Sequence, residues 1–159
     1  MAQPVSGESA FLTGRFLVAM PGMDDTRFAK AVILICSHDD EHAMGITINR
    51  GFDGLGLGEV LGGLEIPDAD RVPDFPLVQG GPVGPERGFV IHSPDFELAG
   101  ATLTVNQSIS LTATREALNA LTSQNPPQKA LLALGFAGWG PGQLERELTQ
   151  AVWMVTDAR

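Results

Sequence analysis

Residues 135–153, GFAGWGPGQLERELTQAVW, carry an apolar run through a glycine-rich turn into an amphipathic segment, and the rest of the chain is organised around this stretch. Gly138, Gly140 and Gly142 alternate with Trp139 and Pro141, so a bulky indole stands beside backbone that can adopt φ > 0 or approach another group closely. Pro141 suits the first helical position and Gly140 the N-cap, which predicts a helix from residue 141. Leu144, Leu148 and Ala151 fall at i, i+4 and i+7, so this helix is expected to pack by one apolar stripe with Glu145, Arg146 and Glu147 pointing elsewhere. Two readings of the turn compete. A glycine-rich turn opening a helix offers free N–H groups and the positive end of a dipole to an anion. The alternative is a tight strand-to-helix connection anchored by Trp139, and it is favoured because GWGPG has neither P-loop nor GxGxxG spacing and no lysine nearby.

At 159 residues the chain is most simply one domain, able to bury roughly 70% of its unfolded surface without a disulfide or structural metal. The 19 glycines and 11 prolines imply many turns between short elements, which favours a sheet-rich architecture. A formal net charge of -9, with Lys30 and Lys129 the only lysines, argues against direct nucleic-acid or membrane binding, since both need clustered basic side chains. Residues 1–10 have no basic n-region or long apolar run and read as a flexible lead-in, and the longest strongly apolar run, residues 31–36, is far short of a membrane span. With one cysteine no internal disulfide can form, which is compatible with a cytoplasmic setting.

Residues 11–20, FLTGRFLVAM, read as a first strand ended by Pro21 and Gly22. Asp24 or Asp25 can cap a helical turn over residues 26–30, with Phe28 inward. AVILIC, residues 31–36, is apolar throughout and predicts a strand buried on both faces. GITINR, residues 45–50, alternates Ile46 and Ile48 against Thr47 and Asn49, so residues 31–50 form a β-hairpin around the polar connection SHDDEHAM. Leu57, Val60, Leu61 and Leu64 predict a short helix within residues 51–66, and residues 67–76 form a Pro/Asp loop. Residues 77–83, LVQGGPV, run into a Gly-Gly-Pro turn before a strand over residues 88–92. Short strands are expected at 102–105 and 108–111, a helix at 114–121 stopped by Asn125, Pro126 and Pro127, and a last strand at 151–156. The expected fold is α+β, a single domain over residues 11–159 with a largely antiparallel β-sheet core flanked by short helices.

Cys36, His38, Asp39, Asp40, Glu41 and His42 are the densest group of ligand and nucleophile types. In a regular strand residues 36 and 38 share a face, so a Cys and His pair could activate a thiolate or share a metal. The spacing supplies neither an oxyanion hole nor four ligands, and Cys36 as a small buried hydrophobe is the favoured reading. His92 and Ser93 face opposite ways as strand neighbours, and Asp95 and Glu97 lack a third group. No catalytic set, metal site or cofactor motif stands out. The QGGPV turn, residues 79–83, could line the same concavity as Trp139.

FLVAMPGMDDTRFAKAVILICSHD, GITINR, QGGPV followed by GFVIH, and GWGPGQLERE, in this order, resemble the YqgE/AlgH family of bacterial proteins, over about residues 11–153. The resemblance implies a compact α+β fold with helices flanking a largely antiparallel sheet, in a cytoplasmic bacterial protein. It also implies a label of transcriptional regulator that rests on genetic association with alginate production. Family positions transfer as positions: Gln79, Gly80, Gly81 and Pro82, then Gly138, Trp139, Gly140, Pro141, Gly142, Gln143 and Glu145. Family members continue into a further helical tail, and its absence would expose apolar surface that promotes self-association into a homo-oligomer.

Three functions are therefore expected in descending order. The first is a non-enzymatic regulatory domain acting through a protein partner. The second is a ligand-binding protein whose pocket lies between the two turns and takes a small anion, using Gln79, Gly80, Gly81, Pro82, Gly138, Trp139, Gly140, Gly142 and Gln143. The third is a Cys36-dependent hydrolase or metal protein.

Overall fold

The structure, a computed structural model, describes residues 11–23, 25, 28–52 and 54–157. The expected lead-in at residues 1–10, and the parts of the expected cap and helical turn that fall on residues 24, 26 and 27, lie outside the described residues. In chain order the elements are β1 (Arg15–Ala19), β2 (Val32–His38), β3 (Ala43–Thr47), α1 (Leu57–Gly63), a 3-10 turn (Ala69–Arg71), β4 (Leu77–Gln79) and β5 (Val83–His92). They continue with β6 (Thr102–Thr104), β7 (Ser110–Thr112), α2 (Arg115–Leu121), β8 (Ala130–Trp139), α3 (Gln143–Thr149) and β9 (Trp153–Asp157). The strands form one curled, largely antiparallel sheet in the order β6-β7-β5-β8-β3-β2-β1-β9, an α+β fold of the expected kind.

The β2–β3 hairpin forms as its apolar period predicts. Ile33 and Ile35 pack with Leu17, Trp139, Leu144 and Trp153 on the face covered by α3, while Leu34 and Cys36 pack with Ile46, Phe89 and Ala133 on the other. A third cluster sets Leu57 and Leu61 of α1 and Ala117 and Leu121 of α2 against Leu77, Val90 and Leu132 of the sheet. The run of alternating burial in AVILIC thus serves two cores at once.

Strand β8 is the spine of the sheet. Its first half lies between β5, antiparallel, and β4, parallel, and its second half pairs with β3 through Ala43↔Trp139 and Gly45↔Ala137. Leu131 and Ala133 face the Cys36 cluster and Leu132 and Leu134 the helix α1 and α2 cluster. Beyond Gly135, at φ 81, the alternation slips by one residue, so Phe136 faces inward while Ala137 and Trp139 join the α3 side. This left-handed conformation is open to glycine at little cost.

The QGGPV turn explains itself here. Where β8 and β3 diverge, Gly80 bridges them: its N–H donates to the Leu134 carbonyl at 2.8 Å and its carbonyl accepts from Thr47 N–H at 2.8 Å. A Cβ on Gly80 would lie 2.2 Å from the Gly135 oxygen, and one on Gly81 would lie 2.2 Å from the Phe136 carbonyl carbon. The two backbones cross in contact, with no room for any side chain between them.

Several expectations need correction. The first strand begins at Arg15 and not at residue 11, because Gly14 at φ 88 turns the chain and donates its N–H to Ile35 O. The helix in 51–66 is confined to Leu57–Gly63, and the next strand extends back to Val83 through an irregularity between Val83 and Gly88. The last helix starts at Gln143 with Gly142 as N-cap at φ 69, not at Pro141 with Gly140 as cap. The Gly140 N–H is held by the Gln143 side-chain oxygen at 3.0 Å, which fixes residues 140–143 as a turn.

Gly80→Ala should lower stability in urea unfolding by about 3 kcal/mol or more, the upper end of overpacking costs, because the obstacle is backbone. Gly62→Ala, in α1 with only the Ala69 Cβ at 4.0 Å, should instead stabilise by about 0.5–1 kcal/mol. Equal midpoints for the two variants would contradict the crossing.

Candidate functional site

The C-terminal half of β8 delivers Trp139 to the face covered by α3, and the chain returns through that helix to Trp153 at the start of β9. The two indoles meet edge to face with centroids 6.2 Å apart, and Phe28 packs edge-on against Trp153 at 5.8 Å. Glu147 ties them together. Its Oε1 accepts the Trp139 indole N–H at 3.0 Å and the Trp153 indole N–H at 2.8 Å, and its Oε2 accepts the Gln143 amide at 3.0 Å. Both indoles are nearly buried, so their N–H groups require such an acceptor.

Helix α3 therefore docks by more than its apolar stripe. Leu144 is fully buried, as the period predicts, but Glu147 does not point away from the sheet. Glu145 also reaches back, to the Nε2 of buried His38 at 3.1 Å. The His38 Nδ1 accepts the Leu12 N–H at 2.9 Å, so Nε2 carries the hydrogen that Glu145 accepts.

Beside this cluster lies a cleft of about 320 Å³ lined by Met23, Asp25, Phe28, Pro82, Val83, Gly138, Trp139, Gln143, Glu147, Gln150, Val152 and Trp153. The two glycine turns do come together at it. Pro82, Gly138, Trp139 and Gln143 line it, while Gln79 and Gly81 line a smaller cavity of about 140 Å³ with Thr47, Arg50 and Pro82. Gly80 is buried in the backbone crossing, and Gly140 and Gly142 shape the turn without lining either space. Among the described residues, the side chains lining the larger cleft include two carboxylates and no lysine or arginine, so they offer no counter-charge to the anionic ligand expected from the sequence. Glu147, Trp153, Phe28 and Met23 were not anticipated as lining; the available signal was Gln143 and Glu147 at i, i+4 between two tryptophans.

The Cys36 and His38 pairing does not form. A bulge between Ile35 and Ser37 shifts the β2 register, so that Ser37 pairs with Met44 and His38 with Ala43. Cys36 packs with the inner cluster, whereas His38 turns to Phe11 and Glu145 beside α3. The Cys36 thiol is 1% exposed and burial pushes its pKa up to about 12, which disfavours thiolate chemistry. The hairpin acids act locally: Asp39 accepts the N–H groups of Glu41 and His42, and these bonds hold its carboxyl below the usual range. No group of three or more His, Cys, Asp or Glu suited to a metal occurs among the described residues.

His92 donates from Nδ1 to the Ser93 carbonyl at 2.8 Å and accepts at Nε2 from the Thr112 hydroxyl at 2.8 Å. Thr112 in turn accepts from Thr102 at 2.7 Å, whose oxygen takes the Leu98 N–H. Ser93 Oγ donates to Asp95, which lowers the pKa of that carboxyl together with the Gln128 N–H. Ser93, His92 and Asp95 are neighbours without being a relay, since both imidazole nitrogens are engaged elsewhere.

A family model described as AlgH-like matches residues 16–159. A protein of Caulobacter vibrioides named UPF0301 is 48% identical over 152 residues, covering 95% of this chain and 78% of its own. A UPF0301 protein of Methylobacterium sp. strain 4-46 is 46% identical, covering 92% and 73%. Among solved structures, the AlgH protein of Pseudomonas aeruginosa matches with a TM-score of 0.75 and 35% identity over 100% of this chain and 82% of that one. A protein of Corynebacterium diphtheriae shares the fold with a TM-score of 0.72 at 21% identity, over 100% and 80%.

Glu147→Ala leaves two buried indole N–H groups without an acceptor and should cost about 2–4 kcal/mol, with altered tryptophan emission; Glu147→Gln, which keeps an acceptor oxygen, should lose less. Chemical denaturation followed by fluorescence measures both, and unchanged emission in the alanine variant would contradict the shared acceptor. Because the folded-state pKa of Cys36 lies above the ordinary thiol value of 9.0, its contribution is fully present below that pH and is lost as pH rises from 9 towards 12. Wild-type stability should therefore fall more steeply over that window than that of Cys36→Ala.

Proposed function

The chain belongs to the AlgH-like family, and from that premise we propose that it is a non-enzymatic binding domain of regulatory type, whose recognition surface is the cleft between the two glycine turns. The observation that carries this reading is the convergence of Pro82 and Val83 from one turn with Gly138, Trp139 and Gln143 from the other on a single cleft. Its volume of about 320 Å³ sits at the lower end of the roughly 300–1,000 Å³ typical of small-ligand sites. Clefts that combine aromatic and apolar lining with a few fixed polar groups suit recognition. The buried Cys36 thiol and the engaged His92 imidazole support a role without covalent or acid-base chemistry. A cytoplasmic setting is part of the proposal and is supported by the single unpaired cysteine.

Both tryptophans of the chain line the cleft, so intrinsic fluorescence reports its occupancy directly. In a thermal-shift screen of metabolites and short peptides, compounds that raise the melting temperature should also change tryptophan emission and move the amide resonances of Val83, Gly138 and Gln143. Val83→Arg and Gln143→Ala should weaken such binding at least tenfold. Resonance shifts clustered away from the cleft, or turnover of a bound compound that these variants abolish, would overturn the reading.

A further inference from the structure

We propose that the cleft takes an alkyl cation, an ammonium or guanidinium group on a short apolar stem, with its charge on Glu147. The inference rests on the cleft being the recognition surface and adds the chemistry of what it recognises.

A carboxylate offers about four acceptor positions. Three are used in Glu147, by Trp139 and Trp153 on Oε1 and by Gln143 on Oε2, which leaves one acceptor position on Oε2. All three donors are neutral N–H groups, so they orient the carboxylate without cancelling its charge. Among the described residues no lysine, arginine or histidine pairs with Glu147. A half-buried carboxylate with one open position and no counter-charge is complementary to a cationic donor, which forms a shorter and stronger bond than a neutral one.

The rest of the lining fits the same ligand. Gln143 and Gln150 can accept further N–H groups. Met23, Phe28, Val83 and Val152 supply an apolar wall that a methylene stem can cover while its charged head stays polar. The formal net charge of -9 draws cations towards the molecule and repels anions. Such a head and stem exist both as free alkylamines or alkylguanidines and as a lysine or arginine side chain of another protein.

The test uses the whole chain and reads tryptophan emission together with amide resonances. The probes are n-butylammonium and n-butylguanidinium, the neutral isostere n-butylurea, the anion butanoate, and N-acetyl-lysine and N-acetyl-arginine methylamides. The cations should bind at least tenfold more tightly than n-butylurea, and butanoate should not bind. Raising the salt to about 0.5 M should weaken the cations several-fold and leave n-butylurea unaffected. Glu147→Gln should remove the tenfold preference. Tighter binding of the blocked amino acids than of the bare alkyl cations assigns the site to a side chain of a partner protein, and the reverse order assigns it to a free amine or guanidine.

The cation proposal is overturned if n-butylurea or butanoate binds in the cleft as tightly as n-butylguanidinium, an outcome that leaves the cleft as a recognition surface. Should Glu147→Gln fail to fold, the comparison with n-butylurea on the unaltered protein still decides. If every probe that binds shifts resonances elsewhere, both the cation proposal and the cleft reading fall.

Discussion

The backbone crossing of Gly80 and Gly81 over Gly135 and Phe136 is the contact on which the rest of the structure depends. Hydrogen bonds from Gly80 to Leu134 on one side and from Thr47 to Gly80 on the other close the gap where β8 parts from β3. That closure lets one long strand serve two neighbourhoods, pairing with β4 and β5 at its start and with β3 at its end. The same crossing places the positive-φ residue Gly135 that shifts the alternation of β8 and turns Trp139 towards α3. Fold and cleft thus have a common origin in three glycines that could not carry side chains.

Glu147 gives the cleft its fixed chemistry. A short helix of seven residues has little intrinsic stability, so α3 is held by what it touches. Leu144 supplies the buried apolar contact, and Glu145 and Glu147 bind the helix to His38 and to the two indoles. The carboxylate that completes the packing of the tryptophans is also a charged group on the cleft wall. Under the proposed recognition role, a substitution at Glu147 acts on stability and on recognition together, and the two effects separate only with a variant that keeps an acceptor oxygen without the charge.

Much of the fold was legible in local pattern. AVILIC, with apolar residues at every position, announced a strand between two cores, because side-chain period is a local property, and GITINR announced its partner, although that strand is Ala43–Thr47 and buries Thr47 as well as Ile46. The four ordered motifs identified the family. Local pattern could not show the bulge between Ile35 and Ser37, which undid the expected alignment of Cys36 with His38, nor that Gln143 would cap its own turn and shift the helix start. The significance of QGGPV lay in a contact with residues more than fifty positions later, and a glycine needed for close approach looks in sequence like one needed for a turn. Glu147 was misplaced for a related reason: helical period assigned it to the polar face, whereas two buried indoles required an acceptor there.

Amide hydrogen exchange tests the central role of the crossing most directly. The Gly80 N–H, bonded to Leu134 O, and the Thr47 N–H, bonded to Gly80 O, should exchange only through global unfolding, with protection equal to the full unfolding free energy. Exchange of these two amides through local opening, at free energies no higher than those of the edge strand β6, would contradict the account.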